Sequence, residues 1–198
     1  MSHGNWVDAD FSGLKNLHEK FGSSNMQHCH FVGSDLSGLQ LTGNNIDACD
    51  FSGSNVSSSQ IESSNIINNI FKDCSLKKSE FKLSQIKSCD FSGADFTGVS
   101  ITSGVFAKNT VNNAKWNCSS FIDTQIADTV FDGIMENCCF ENCAFAKVTF
   151  RNATLLNTFF KNKSLKRIRF IDCLADRMTY AFLKNGKADL TGITLLTS

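Results

Sequence analysis

The chain has 198 residues, 19 basic and 19 acidic side chains, nine cysteines, 18 phenylalanines and no proline. That length accommodates one domain with a substantial core, and the balanced charge excludes nucleic-acid or membrane binding driven by net electrostatics. The first twenty residues hold no apolar run of signal-peptide length, and no stretch approaches the roughly 18 apolar residues of a membrane span.

In chain order, residues 1–20 read as an N-terminal segment and cap. Ala9-Asp10-Phe11-Ser12-Gly13 forms a stray five-residue unit. Leu14 to Lys20 then break the apolar beat, with Asn16 where an apolar residue belongs, and a short helical turn over the N-terminal end is expected there. From Phe21 to Phe131 every fifth residue is apolar, through 23 consecutive positions, which at 41% apolar composition has a chance probability on the order of 10⁻⁹. One residue is dropped within Phe131-Asp132-Gly133-Ile134-Met135, where a local kink is expected. The beat then runs from Met135 to Phe170, giving 31 centres in all.

A period of five fits neither a helix nor a simple strand. A chain that turns a corner every five residues places one large side chain on each side of a square, so 20 residues close a coil and residue i + 20 stacks on residue i. Reading every twentieth residue supports this: Phe31, Phe51, Phe71, Phe91, Val111 and Phe131 form one row, and Met26, Ile46, Ile66, Ile86, Phe106 and Ile126 another. The expected fold is an all-β, four-sided parallel β-helix of about 8 coils over residues 21–170, with the register slip at 131–135. At the usual strand spacing the rod is about 37 Å long. Residues 171–198 read as a C-terminal helix and tail. Asp172 caps a helix from Cys173 to Asn185 with Gly186 as its stop, and Met178, Tyr180, Ala181 and Phe182 supply its buried side.

Candidate chemistry is sparse. Cys29, Cys49, Cys74, Cys89, Cys138 and Cys143 each sit two residues before a centre, where small inward residues belong, so they read as reduced core thiols in a reducing, cytoplasmic compartment. Cys139 faces outward and is the candidate for a reactive thiol. His28-Cys29-His30 and Cys138-Cys139 with Cys143 lack metal-site spacing, and Asp123, Asp128, Asp132, Glu136 and Glu141 fall on different sides of the coil. No catalytic residue, metal site or cofactor is expected. Lys72, Lys77, Lys82 and Lys87 follow four consecutive centres and ring a single coil as a solvated surface. Charge is polarised along the rod, net −5 over residues 1–70 and net +7 over residues 151–187. Lys161, Lys166, Arg167 and Arg169 are therefore the candidate partner-binding residues. Tyr180, Phe182, Leu190, Leu195 and Leu196 are candidates for capping the last coil or forming a homodimer through the tail.

Ser34-Asp35-Leu36-Ser37-Gly38, Cys49-Asp50-Phe51-Ser52-Gly53, Cys89-Asp90-Phe91-Ser92-Gly93 and Ala94-Asp95-Phe96-Thr97-Gly98 resemble the A(D/N)(L/F)XX signature of pentapeptide-repeat proteins. The resemblance implies a right-handed quadrilateral β-helix in which Asp or Asn beside the centre helps to hold the turns. Ile70, Val105, Val130, Cys139, Ala144 and Phe159 depart from it at the Asp/Asn position, so a different turn type or an exposed apolar strip is expected there; Lys163 occupies a normally small inward site, so a flared or capped last coil is expected. It also implies function: a non-catalytic scaffold binding an unknown protein, with two alternatives. One is a DNA-mimicking, dimeric rod that engages DNA gyrase, as in quinolone-resistance proteins. The other is a bacterial effector delivered into host cells by a secretion system.

Overall fold

The computed structural model describes residues 4–17 and 21–196. The chain winds into about nine square coils, each stacked in parallel on the next. Two sides are continuous sheets. One has eight strands, from Asn5–Val7 to Ala144–Ala146, and the other has seven, from Gln40–Thr42 to Phe159–Lys161. The two sides between them begin as single parallel bridges, such as His30 with Asp50 and Asp35 with Asn55, and merge from Val130 onward into a five-stranded sheet. Pairing holds the expected register, Met26 on Ile46 and Ile46 on Ile66.

Backbone conformation explains the beat. The residue two after each centre repeatedly has positive φ, as at Asp8, Ser58, Lys78 and Asn113, with glycine there at Gly33, Gly53 and Gly93. This left-handed residue turns the chain at each corner; glycine adopts it without strain, and the others hold it against a modest cost. Where Asp precedes the centre, its carboxylate accepts the N–H two residues on, closing an Asx turn: Asp50 from Ser52 at 2.8 Å, Asp90 from Ser92 at 3.0 Å, Asp95 from Thr97 at 3.0 Å. Where Ile70 or Val130 replaces it, the left-handed residue remains at Asp73 and Gly133, and the apolar side chain stands 38% and 40% exposed.

The interior is a set of rings stacked along the rod. Phe11, Phe31, Phe51, Phe71 and Phe91 lie face to face at 4.7–5.1 Å. Val111 interrupts that row; Phe106 from the neighbouring side fills the gap, 6.0 Å from Phe91 and 6.4 Å from Phe131. The row resumes as Phe131, Phe150 and Phe170 at 5.1 and 5.3 Å. The slip is confined to one corner: Phe131 pairs with Phe150 and Gly133 with Ala153, the register shifting between them within the strand Val130–Glu136.

Both ends differ from expectation in detail. Leu14 to Leu17 form no helical turn; Leu14 and Leu17 bond the Asp35 backbone as part of the ladder, and residues 18–20 lie outside the described residues. The Phe11 unit is not stray. It belongs to a first coil in which Trp6, T-shaped on Phe11 at 5.4 Å and on Phe21 at 6.0 Å, closes the core. At the other end, Cys173–Ala175 is a strand paired with Thr154 and Leu155, so the helix starts later, at Arg177–Asn185. Its N-cap is Asp176 rather than Asp172, accepting the Thr179 N–H at 2.7 Å. Its buried residues are Thr179 and Leu183; Tyr180 and Phe182 are half-buried, and Met178 and Ala181 are exposed. The tail returns to the rod, where Ile193–Leu195 pairs in parallel with Cys173–Ala175.

Candidate functional site

Inward positions, two residues before each centre, carry small side chains that bond neighbouring coils. Asn69 accepts the Cys49 N–H at 2.8 Å and donates to Ile46 O at 2.9 Å; Asn109 repeats this with Cys89 N and Ile86 O. Ahead of Leu165 this position falls to Lys163, whose ammonium cannot be buried unpaired. Asn162, one residue earlier, takes the inward role instead: its Oδ1 accepts the Cys143 N–H and its Nδ2 donates to Phe140 O at 2.9 Å. The surplus residue bulges outward, leaving Lys163 exposed while Leu165 stays in the core.

That bulge takes residues 163–167 out of the ladder. The eight-stranded sheet ends at Ala144–Ala146, whose far edge has no partner strand among the described residues. One column of backbone bonds records the break. Asp8 N donates to Gln27 O, His28 N to Asp47 O, and so on down to Lys108 N with Ala127 O and Asp128 N with Ala146 O at 2.9 Å. Lys147 N, next in the column, has no acceptor among the described residues. An open groove of about 630 Å³ lies along the start of the same strand, between residues 142–145 and residues 162–167. A second groove of about 600 Å³ shares Lys166 and Arg167 and continues round the corner along Ile168–Ile171 to Asp189 and Gly192.

The electrostatics of this end differ from those of the rod. Lys72 pairs with Asp90 and Lys77 with Asp95, both at 3.3 Å, and Lys82 pairs with Glu62 at 3.4 Å, so three of the four lysines of the ring are neutralised locally, while Lys87 donates to Gln85 Oε1. Burial raises the Asp90 carboxyl, but hydrogen bonds from Ser92 and the Lys72 ammonium outweigh it and hold the group below its ordinary value. Lys161, on another side, pairs with Glu141 at 3.2 Å, which raises its pKa. Lys166, Arg167 and Arg169, together with Lys163, form no ion pair among the described residues. The structure thus brings together Lys166, Arg167 and Arg169 of the expected basic residues and leaves Lys161 apart. Sequence reasoning missed the groove itself; the misplaced Lys163 was its signal.

The remaining candidates sit as follows. Phe182 packs edge-on against Phe159 at 5.3 Å, Tyr180 and Leu190 pack against the core, Leu195 is 39% exposed and Leu196 half-buried. Cys29, Cys49, Cys74, Cys89 and Cys138 are buried and Cys143 half-buried; burial pushes Cys49, Cys74, Cys89 and Cys143 up to about 12. Cys139 is half-buried, and burial raises its thiol despite nearby Lys161, so it is not an activated nucleophile. His28 lies 3.6 Å from Asp8, and among the described residues no group of three His, Cys, Asp or Glu side chains is arranged to hold a metal. Nor is any helix there long and apolar enough to cross a membrane.

A four-sided parallel β-solenoid with one large inward side chain every fifth residue defines a narrow class of protein. Residues 20–57 and 68–102 match the family model of pentapeptide repeats in eight copies. Those stretches of the chain are pentapeptide repeats. Among solved structures it is similar to QnrB1, a plasmid-mediated fluoroquinolone resistance protein, at 18% identity over 99% of this chain and 92% of that one, TM-score 0.46. It is also similar to HetL, a pentapeptide repeat protein involved in heterocyst differentiation regulation from Nostoc sp. strain PCC 7120 (14% identity, 89% and 84% covered, TM-score 0.41). A pentapeptide repeat protein from the Arabidopsis thaliana thylakoid lumen aligns at 21% identity over 48% of this chain and 67% of its own, TM-score 0.45. No curated protein matches the sequence.

Proposed function

We propose that this chain is a non-catalytic interaction scaffold, a rigid rod that binds another protein. One observation carries the reading: two adjoining grooves lie at one end, bordered by Lys163, Lys166, Arg167 and Arg169, which form no ion pair among the described residues. Elsewhere the repeat absorbs the residues, with centres and thiols in the core and Asp, Ser and Asn in turns and inter-coil bonds. A DNA-mimicking rod needs outward rows of unpaired carboxylates, and here Glu62, Asp90, Asp95 and Glu141 are held by lysines. The test is capture with the immobilised full-length chain, identification of the bound protein, and titration of the purified pair. A saturable complex is expected; reproducible turnover of a substrate by the purified chain alone would overturn the reading.

A further inference from the structure

We propose that the free edge of the Ala144–Ala146 strand receives an extended, acidic segment of a partner protein, added as one more parallel strand in the place vacated by residues 163–167. The proposal rests on the scaffold reading and names the partner's chemistry. An unpaired strand edge offers a row of backbone donors and acceptors, and an extended peptide is the ligand that satisfies them. Here the edge is one strand deep. The Lys147 N–H lacks an acceptor among the described residues, and the groove of about 630 Å³ borders the same strand at Ala144 and Phe145.

Charge selects the occupant. Lys163, Lys166 and Arg167 border the groove, all exposed and none in an ion pair among the described residues. Lys147, at the end of the edge, is held by Asp128 at 3.7 Å. Carboxylates on alternate residues of an added strand reach these cations, while a basic segment meets repulsion. Shape excludes the end of a second rod. On the other sides the chain continues past this level, through Phe159–Lys161, Ile168–Ile171 and Cys173–Ala175 to the helix, so a complete coil cannot stack there and a single segment can.

The test uses full-length protein and a fluorescein-labelled octapeptide of alternating valine and glutamate, followed by anisotropy. Two control peptides accompany it: one with lysine for glutamate, the other N-methylated on alternate amides, which keeps the charge and blocks strand pairing. The acidic peptide is expected to bind and to slow amide exchange at Lys147. Affinity should fall at least tenfold on N-methylation, and at least tenfold in the Lys163→Glu, Lys166→Glu, Arg167→Glu variant, whose circular dichroism should be unchanged. Equal binding by the N-methylated peptide, or no binding and no protection at Lys147, overturns strand addition. A partner protein captured equally by wild type and by the triple variant also overturns it, while leaving the scaffold reading intact.

Discussion

Single side chains carry the rod's stability through ring stacking and burial. Phe71 lies between Phe51 at 4.8 Å and Phe91 at 4.9 Å, so Phe71→Ala should cost about 3–5 kcal/mol in chemical denaturation. Val111 makes the opposite point. From sequence, Val111→Phe completes the Phe row and ought to stabilise it; in the structure Phe106 already fills that gap, so the same substitution should destabilise by about 1–3 kcal/mol. A gain in midpoint would mean that Phe106 can retreat. The thiols set a pH limit. Cys49, Cys74, Cys89 and Cys143 are pushed by burial from an ordinary 9.0 to about 12, so the folded state holds protons that the unfolded chain gives up. Their contribution is complete below about pH 9 and is lost as pH rises toward 12. The denaturation midpoint should fall between pH 9 and 11, and less steeply in a Cys74→Ala, Cys89→Ala variant; parallel profiles would refute the assignment.

At the level of elements, legibility tracked periodicity. Phe21 to Phe131 could be read directly because each centre has one environment, a core position facing four sides, and apolar chemistry marks it. Trp6 stands on the same beat as Phe11 and Phe21, but Asn16 hides the continuity; the structure restores it by ring contacts. The helix start was placed one turn early because Asp172 has the local chemistry of a cap. Strand pairing of Cys173–Ala175 with the preceding coil moves the start to Arg177, capped by Asp176. Asp176→Ala should therefore cost about 0.5–2 kcal/mol of stability, since its carboxylate also accepts the Asn157 N–H at 2.6 Å. Asp172→Ala, by comparison, should leave the thermal midpoint almost unchanged; equal losses would indicate that both residues cap. The groove escaped sequence reasoning for another reason. Lys163 announces a disturbed corner, but only the substitution by Asn162 determines which residues leave the ladder.

For the whole molecule, strand pairing among the described residues runs between successive coils, so stability is a sum of coil terms and coil–coil interfaces. The charge asymmetry lies along that same axis: the acidic start has its carboxylates in turns, as at Asp10 and Asp50, while the basic end has Lys163, Lys166 and Arg167 without ion pairs among the described residues, beside an open edge. Binding at that end should therefore weaken steeply with added salt, and a salt-independent complex would point to another surface. The backbone bonds between coils, such as Phe31 N to Asp50 O and Phe51 N to Ile70 O at 2.7 Å, run along the rod. Pulling the two termini apart thus loads these bonds a few at a time, as a zipper is loaded, rather than all together in shear. Held in optical tweezers, the molecule should give way at low force in a staircase of nearly equal steps, each releasing one coil of about 20 residues, about 70 Å of contour. The step that crosses Gly133 should be one residue short. The rod would then be stiff to bending yet easy to peel, a ruler that can be unwound from one end.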